Sequence, residues 1–99
     1  HSSHEIAKKQ QNGFGGMLSF ELKGGLPVVK EFFKKVKCFS LAESLGGFES
    51  LVCHPYTMTQ APLTDKEKEF SGITQGLIRI SAGLEDIDDL ISGLKKGLD

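Results

Sequence analysis

The chain has 99 residues, 38% of them hydrophobic and 25% charged, which fits one small globular domain with a single core. A net charge of −1 and a pI near 6.3 give no electrostatic case for nucleic acid, and no apolar run reaches the length of a membrane span. Two cysteines, Cys38 and Cys53, are too few for a disulfide framework, and both read as buried reduced thiols of a cytoplasmic protein.

The N-terminus, HSSHEIAKKQQ, is polar and lacks a signal-peptide pattern. It starts at His1 rather than Met, which reads as a fragment or a trimmed chain. Ser2 and Glu5 have capping-box spacing for a helix over Ser2–Gln11, with Asn12-Gly13 as its stop. Gly16–Leu22 alternates, with Leu18, Phe20 and Leu22 on one face and Met17, Ser19 and Glu21 on the other, as in a half-buried strand. After a turn at Lys23–Gly25, Pro27 suits the first turn of a helix. Val28, Val29, Phe32, Phe33 and Val36 form its apolar stripe, and Lys34, Lys35 and Lys37 crowd its C-terminal end.

Cys38–Ala42 predicts a second strand and SLVCH (Ser50–His54) a third, ended by Pro55. Between them, LAESLGGFES reads by pattern as a hairpin corner, with Glu43 and Ser44 at the rim of the sheet. Thr64 and Glu67 form a second capping box, opening a short charged helix that stops at Gly72. Leu77–Ala82 alternates again, with Ile78, Ile80 and Ala82 opposite Leu77, Arg79 and Ser81. Asp86, Asp88 and Asp89 open the last helix, whose stripe is Ile87, Leu90, Ile91, Leu94 and Leu98. The order predicts an α+β fold: a small, mostly antiparallel sheet with helices packed on one face. Its other face carries Met17, Ser19, Glu21, Arg79 and Ser81.

Local motifs give little chemistry. GFGG (Gly13–Gly16) follows a helix and opens a strand, the reverse of a phosphate-cradling loop. His1, His4, Cys53 and His54 lack metal-ligand spacing, so no metal site is expected. Ser44 is not in a GxSxG setting, and no lysine reads as a buried Schiff-base amine. Arg79 is different: it is the only arginine, beside eleven lysines. Its fork of donors matches a carboxylate through two parallel hydrogen bonds, which a lysine does not copy. Pattern alone leaves two readings, that clamp or a surface pair with Glu21 or Glu43.

LAESLGGFESL, HPYTMTQA and GITQGLIRISAGLEDIDDLISGL, with GFGGMLSFEL upstream, resemble the C-terminal domain of the Cys/Met-metabolism family of pyridoxal-phosphate enzymes. The resemblance runs from about residue 4 to the end. It implies that residues 1–99 are the small C-terminal domain of a fold-type I enzyme whose large cofactor-binding domain lies outside this chain. In that setting Arg79 matches the arginine that grips the substrate α-carboxylate. Ser44 and Leu45 match residues beside the cofactor and catalytic lysine, where the backbone helps hold substrate, Thr59 one near the substrate pocket, and Glu43 a position that differs among branches. A glutamate there resembles the cystathionine γ-synthase and γ-lyase branches. Gln60 replaces a common His, Tyr56 a small residue and Ser2 a common Pro.

The resemblance further implies a trans-sulfuration activity for the full-length enzyme, with pyridoxal 5'-phosphate as cofactor and an amino acid as substrate. It implies a homotetramer that binds neither nucleic acid nor membrane. The Schiff-base lysine lies upstream, so the fragment alone is expected to be inactive. The competing reading is an independent α+β interaction or regulatory module without catalysis.

Overall fold

A computed structural model describes residues 1–99. In chain order the elements are α1 (His4–Gln10), β1 (Met17–Glu21), α2 (Gly25–Lys35), β2 (Ser40–Leu41), β3 (Leu51–Cys53), α3 (Asp65–Phe70), β4 (Leu77–Ser81) and α4 (Ile87–Leu98). The expected order of helices and strands is the observed one. The strands form one sheet in the order β1-β4-β3-β2, so the last strand of the chain lies in its interior. β4 runs antiparallel to both β1 and β3, whereas β2 and β3 are parallel.

The register assigns the faces. Ile80 stands opposite Leu18 and Val52, and Ile78 opposite Phe20, so these side chains share one face. Onto it α2 lays Val29, Phe32 and Val36, which with Val52, Ile78 and Ile80 make the buried core. Phe20 meets Phe32 edge to face, with ring centroids 5.9 Å apart. β1 is an edge strand, so Leu18 stays partly exposed although its register is the expected one.

α4 departs from its expected stripe. Leu90 and Leu94 turn inward, but Ile87, Ile91 and Leu98 are exposed. Gly93 and Gly97 share the inward face instead and are buried. A Cβ on Gly93 would collide with the Lys37 carbonyl group, and one on Gly97 would sit 2.7 Å from the Phe32 ring. Counting only apolar residues missed this face, because the contact is made by side chains that are absent.

Three other expectations change. The Ser2–Glu5 capping box does not form: α1 starts at His4, and Ser3 at its N-cap makes no side-chain bond. The second strand shrinks to Ser40–Leu41, because Cys38 has φ +69°, left-handed backbone that no strand contains. Cys38 is also exposed; only Cys53 is buried, and both are free thiols. The Thr64–Glu67 capping box forms in full.

Two outcomes follow from this packing. Alanine in an ordinary helix interior stabilises by about 1 kcal/mol over glycine. At Gly93, overpacking against the α2 exit should reverse that sign and cost about 1–3 kcal/mol, read as a lower urea midpoint for Gly93→Ala. A higher midpoint would mean that α4 is not seated on Lys37. In the α3 cap, the Thr64 backbone N–H and then its hydroxyl hold the Glu67 carboxyl below its ordinary value of 4.5. A depressed folded value stabilises above the unfolded one and is lost as pH falls through the folded one. The urea-midpoint gap between the wild type and Glu67→Gln should therefore be flat above about pH 4.5 and shrink below it. A gap that does not change with pH would contradict the cap's role.

Candidate functional site

The face opposite the core carries Arg79. Register places Ser19 and Cys53 on either side of it, and Leu51 beside Ser81. The two halves of this face differ. On the β1 side Met17, Ser19 and Glu21 are exposed, whereas on the β3 side Leu51 and Cys53 are buried.

The difference comes from the segment between β2 and β3. A hairpin corner would make those strands antiparallel, but they are parallel. The connection therefore cannot fold straight back; it has to cross the sheet and return. Residues 42–50 do this over the Arg79 face. Gly46 N–H donates to Ser81 Oγ at 2.8 Å, reaching across β3 to β4. On the return, the Phe48 carbonyl accepts from Leu84 N–H at 2.8 Å. Ser50, itself buried, then donates its N–H to Glu85 Oε1 and its hydroxyl to Glu85 Oε2, both at 2.7 Å, while its Oγ accepts from Gly83 N–H at 2.8 Å. A Cβ on Gly83 would fall on the Phe48 carbonyl and 2.5 Å from the Glu49 carbonyl carbon, so this close approach requires glycine.

Arg79 lies under the outgoing limb. Its Nη2 donates to the carbonyls of Glu43 at 3.0 Å and Ser44 at 3.3 Å. It pairs with neither Glu21 nor Glu43 carboxylate: the ion pairs in the structure are Lys8–Glu5 and Lys34–Glu31, both on helix surfaces. Carbonyl dipoles orient the guanidinium without cancelling its charge. Its Nε and Nη1 hydrogens have no partner within the chain. Arg79 is also the only cation on any strand. A half-buried, oriented and uncompensated guanidinium suits a small carboxylate arriving from outside.

Of the residues singled out in the sequence, Glu43, Ser44 and Arg79 come together, but the first two contribute through backbone carbonyls. Both side chains are exposed, as is Leu45 next to them. Thr59 is half-buried in the turn after β3, and no hydrogen bond joins it to Arg79. His54 has a structural post. Its Nε2 donates to the Gln75 carbonyl at 2.8 Å and Nδ1 meets Thr57 Oγ1 at 2.7 Å, tying the end of β3 to the approach of β4. No three His, Cys, Asp or Glu side chains converge as a metal site would need.

Ser50, Ser81, Gly83 and Glu85 were not singled out by the sequence. Glu85 directly precedes the helix-opening aspartates, of which Asp86 is the cap, accepting from Asp88 and Asp89 N–H. The Ser50 backbone N–H and then its hydroxyl hold the Glu85 carboxyl below its ordinary value. The only available hint was the Ser-Ala-Gly-Leu-Glu sequence leaving β4, with a glycine where the strand pattern breaks.

Lys68, the one buried lysine, packs its ammonium 4.1 Å from the centre of the Tyr56 ring.

The comparison with known proteins bears on the whole chain. L-methionine gamma-lyase of Fusobacterium nucleatum subsp. polymorphum is 52% identical over 99 residues, all of this chain and 25% of that protein. The crystal structure of cystathionine gamma synthase from Xanthomonas oryzae pv. oryzae in complex with cystathionine superposes with a TM-score of 0.91 at 48% identity, over 99% of this chain and 25% of that one. A putative O-acetylhomoserine (thiol)-lyase from Campylobacter jejuni, whose structure contains N'-pyridoxyl-lysine-5'-monophosphate, superposes at 0.90 with 38% identity, over 99% and 24%. The chain thus spans about a quarter of the length of these relatives. The description of Cys/Met metabolism PLP-dependent enzymes matches residues 1–99, and the chain belongs to that family.

Proposed function

We propose that residues 1–99 form the small, substrate-recognising domain of a PLP-dependent trans-sulfuration enzyme of the cystathionine γ-synthase or γ-lyase type. The large cofactor-binding domain would belong to the same polypeptide, and the full-length enzyme would work as a homotetramer in the cytoplasm. The observation that carries this reading is the state of Arg79: fixed by two carbonyls, half-buried and without a counter-charge.

In this reading Arg79 takes the substrate α-carboxylate through its free donors, which also sets the orientation of the bonds at the α-carbon. Bound pyridoxal phosphate would supply the electron sink for chemistry at the α-, β- and γ-carbons. Ser44 and Leu45 would flank the cofactor from the crossing loop, and Thr59 would border the substrate pocket. The Glu43 carboxylate is exposed and makes no hydrogen bond or ion pair within the chain, and it would meet a distal ammonium of the substrate. The exposed apolar residues Phe48, Leu84, Ile87 and Ile91 fit a domain that continues into a larger body.

Arg79→Lys in the full-length enzyme keeps the charge and removes the fork. A charge-assisted hydrogen bond contributes about 1.5–3 kcal/mol, so kcat/KM for the amino acid should fall about 10- to 100-fold. Cofactor absorbance should be unchanged. Kinetics close to wild type would rule out the clamp. Product analysis separates the two branches: an activated homoserine plus cysteine yields cystathionine with a synthase, and cystathionine alone is cleaved by a lyase.

A further inference from the structure

The Arg79 guanidinium is held by carbonyls that belong to an irregular loop. Residues 43–49 lie in neither helix nor strand, so no backbone ladder keeps the Glu43 and Ser44 carbonyls in place. The loop is held to the arginine's own strand and to the residues that directly follow it by a small set of bonds. One is Gly46 N–H to Ser81 Oγ. Another is the Leu84 N–H to the Phe48 carbonyl. The third is the Ser50–Glu85 couple, the only one that involves a charge.

We propose that Glu85, acting through Ser50, is a positioning residue for the Arg79 guanidinium. The inference rests on the carboxylate-clamp reading of Arg79. Both Glu85 oxygens are committed to one residue, Ser50, on its N–H and its hydroxyl at 2.7 Å each. The Ser50 hydroxyl oxygen passes the link on to Gly83 N–H, two residues beyond the end of β4. The loop is thereby pinned at its return end to the segment that directly follows the strand carrying Arg79. Short hydrogen bonds to an ionised acceptor are about twice as strong as neutral ones. They also hold the Glu85 carboxyl below its ordinary value, as bonds to the ionised form do.

Glu85 is itself exposed and contributes nothing to the apolar core. Its loss should therefore be felt less in global stability than in where the loop carbonyls sit. Displacement of those carbonyls tilts the guanidinium away from the geometry that two parallel bonds to a carboxylate demand. Small misplacements at a binding group have large kinetic consequences.

The test is a double-mutant cycle in the full-length holoenzyme, with wild type, Glu85→Gln, Arg79→Lys and the double variant. Glu85→Gln keeps the shape and one acceptor but removes the charge and the acceptor for the Ser50 hydroxyl. It should raise KM for the amino acid roughly 3- to 10-fold, with cofactor absorbance and melting temperature unchanged. Ser50→Ala should behave alike. In the Arg79→Lys background, Glu85→Gln should add nothing to KM, because the group it positions is gone. A full multiplicative effect there, or no effect of Glu85→Gln in the wild type, overturns the proposal while leaving the clamp intact. An Arg79→Lys single variant with wild-type KM sinks the clamp reading, and this inference with it. If Glu85→Gln lowers the melting temperature, Glu85→Asp, which keeps the charge on a side chain one methylene shorter, is read in the same cycle against the same two outcomes.

Discussion

The pair of hydrogen bonds from Arg79 Nη2 to the Glu43 and Ser44 carbonyls is the interaction on which the rest of the site depends. It exists because β2 and β3 are parallel. A parallel pair cannot be joined by a tight turn. The connecting segment must travel, and here it travels across the face opposite the helices. That crossing converts an open sheet surface into a half-roofed one, with Arg79 at the boundary between roof and open strand. An arginine paired with a carboxylate would be stable there but spent. Carbonyl acceptors leave it oriented and still charged.

Close approach through glycine serves both faces of the sheet. Gly83 lets the Phe48–Glu49 backbone lie against the end of β4, and Gly93 and Gly97 let α4 press against α2 and its exit. The first contact shapes the loop over Arg79. The second leaves Ile87, Ile91 and Leu98 outside the core although they share a helix with its packing face. Phe48 and Leu84 are exposed as well, so several large apolar side chains stand in solvent.

Much of the fold was legible in the sequence because it rests on local periodicity. The alternation at Leu77–Ser81, the α2 stripe from Val28 to Val36, of which Val28 alone is exposed, and the Thr64–Glu67 cap each require only neighbours within a few residues. Arg79, Glu43 and Ser44 were legible as candidate site residues through composition and family resemblance. What was hidden is long-range. The Ser50–Glu85 and Gly46–Ser81 bonds join residues 35 apart, and no local period encodes them. The left-handed Cys38 follows from the α2 exit, and the inward glycines of α4 carry no hydrophobic signal. In the structure Glu43 and Ser44 meet Arg79 through their backbone carbonyls, a contact that side-chain type does not encode.

The central claim is that Arg79 recognises a carboxylate. The most direct measurement compares binding of the amino acid substrate and its carboxamide to the full-length holoenzyme, in wild type and in Arg79→Ala. The carboxamide has the same shape without the charge and presents only one oxygen to the fork. The account predicts that the wild type prefers the acid by about 10- to 100-fold and that this preference collapses toward unity in the variant. A variant that keeps the wild-type preference would contradict it, because some other group would then be reading the carboxylate.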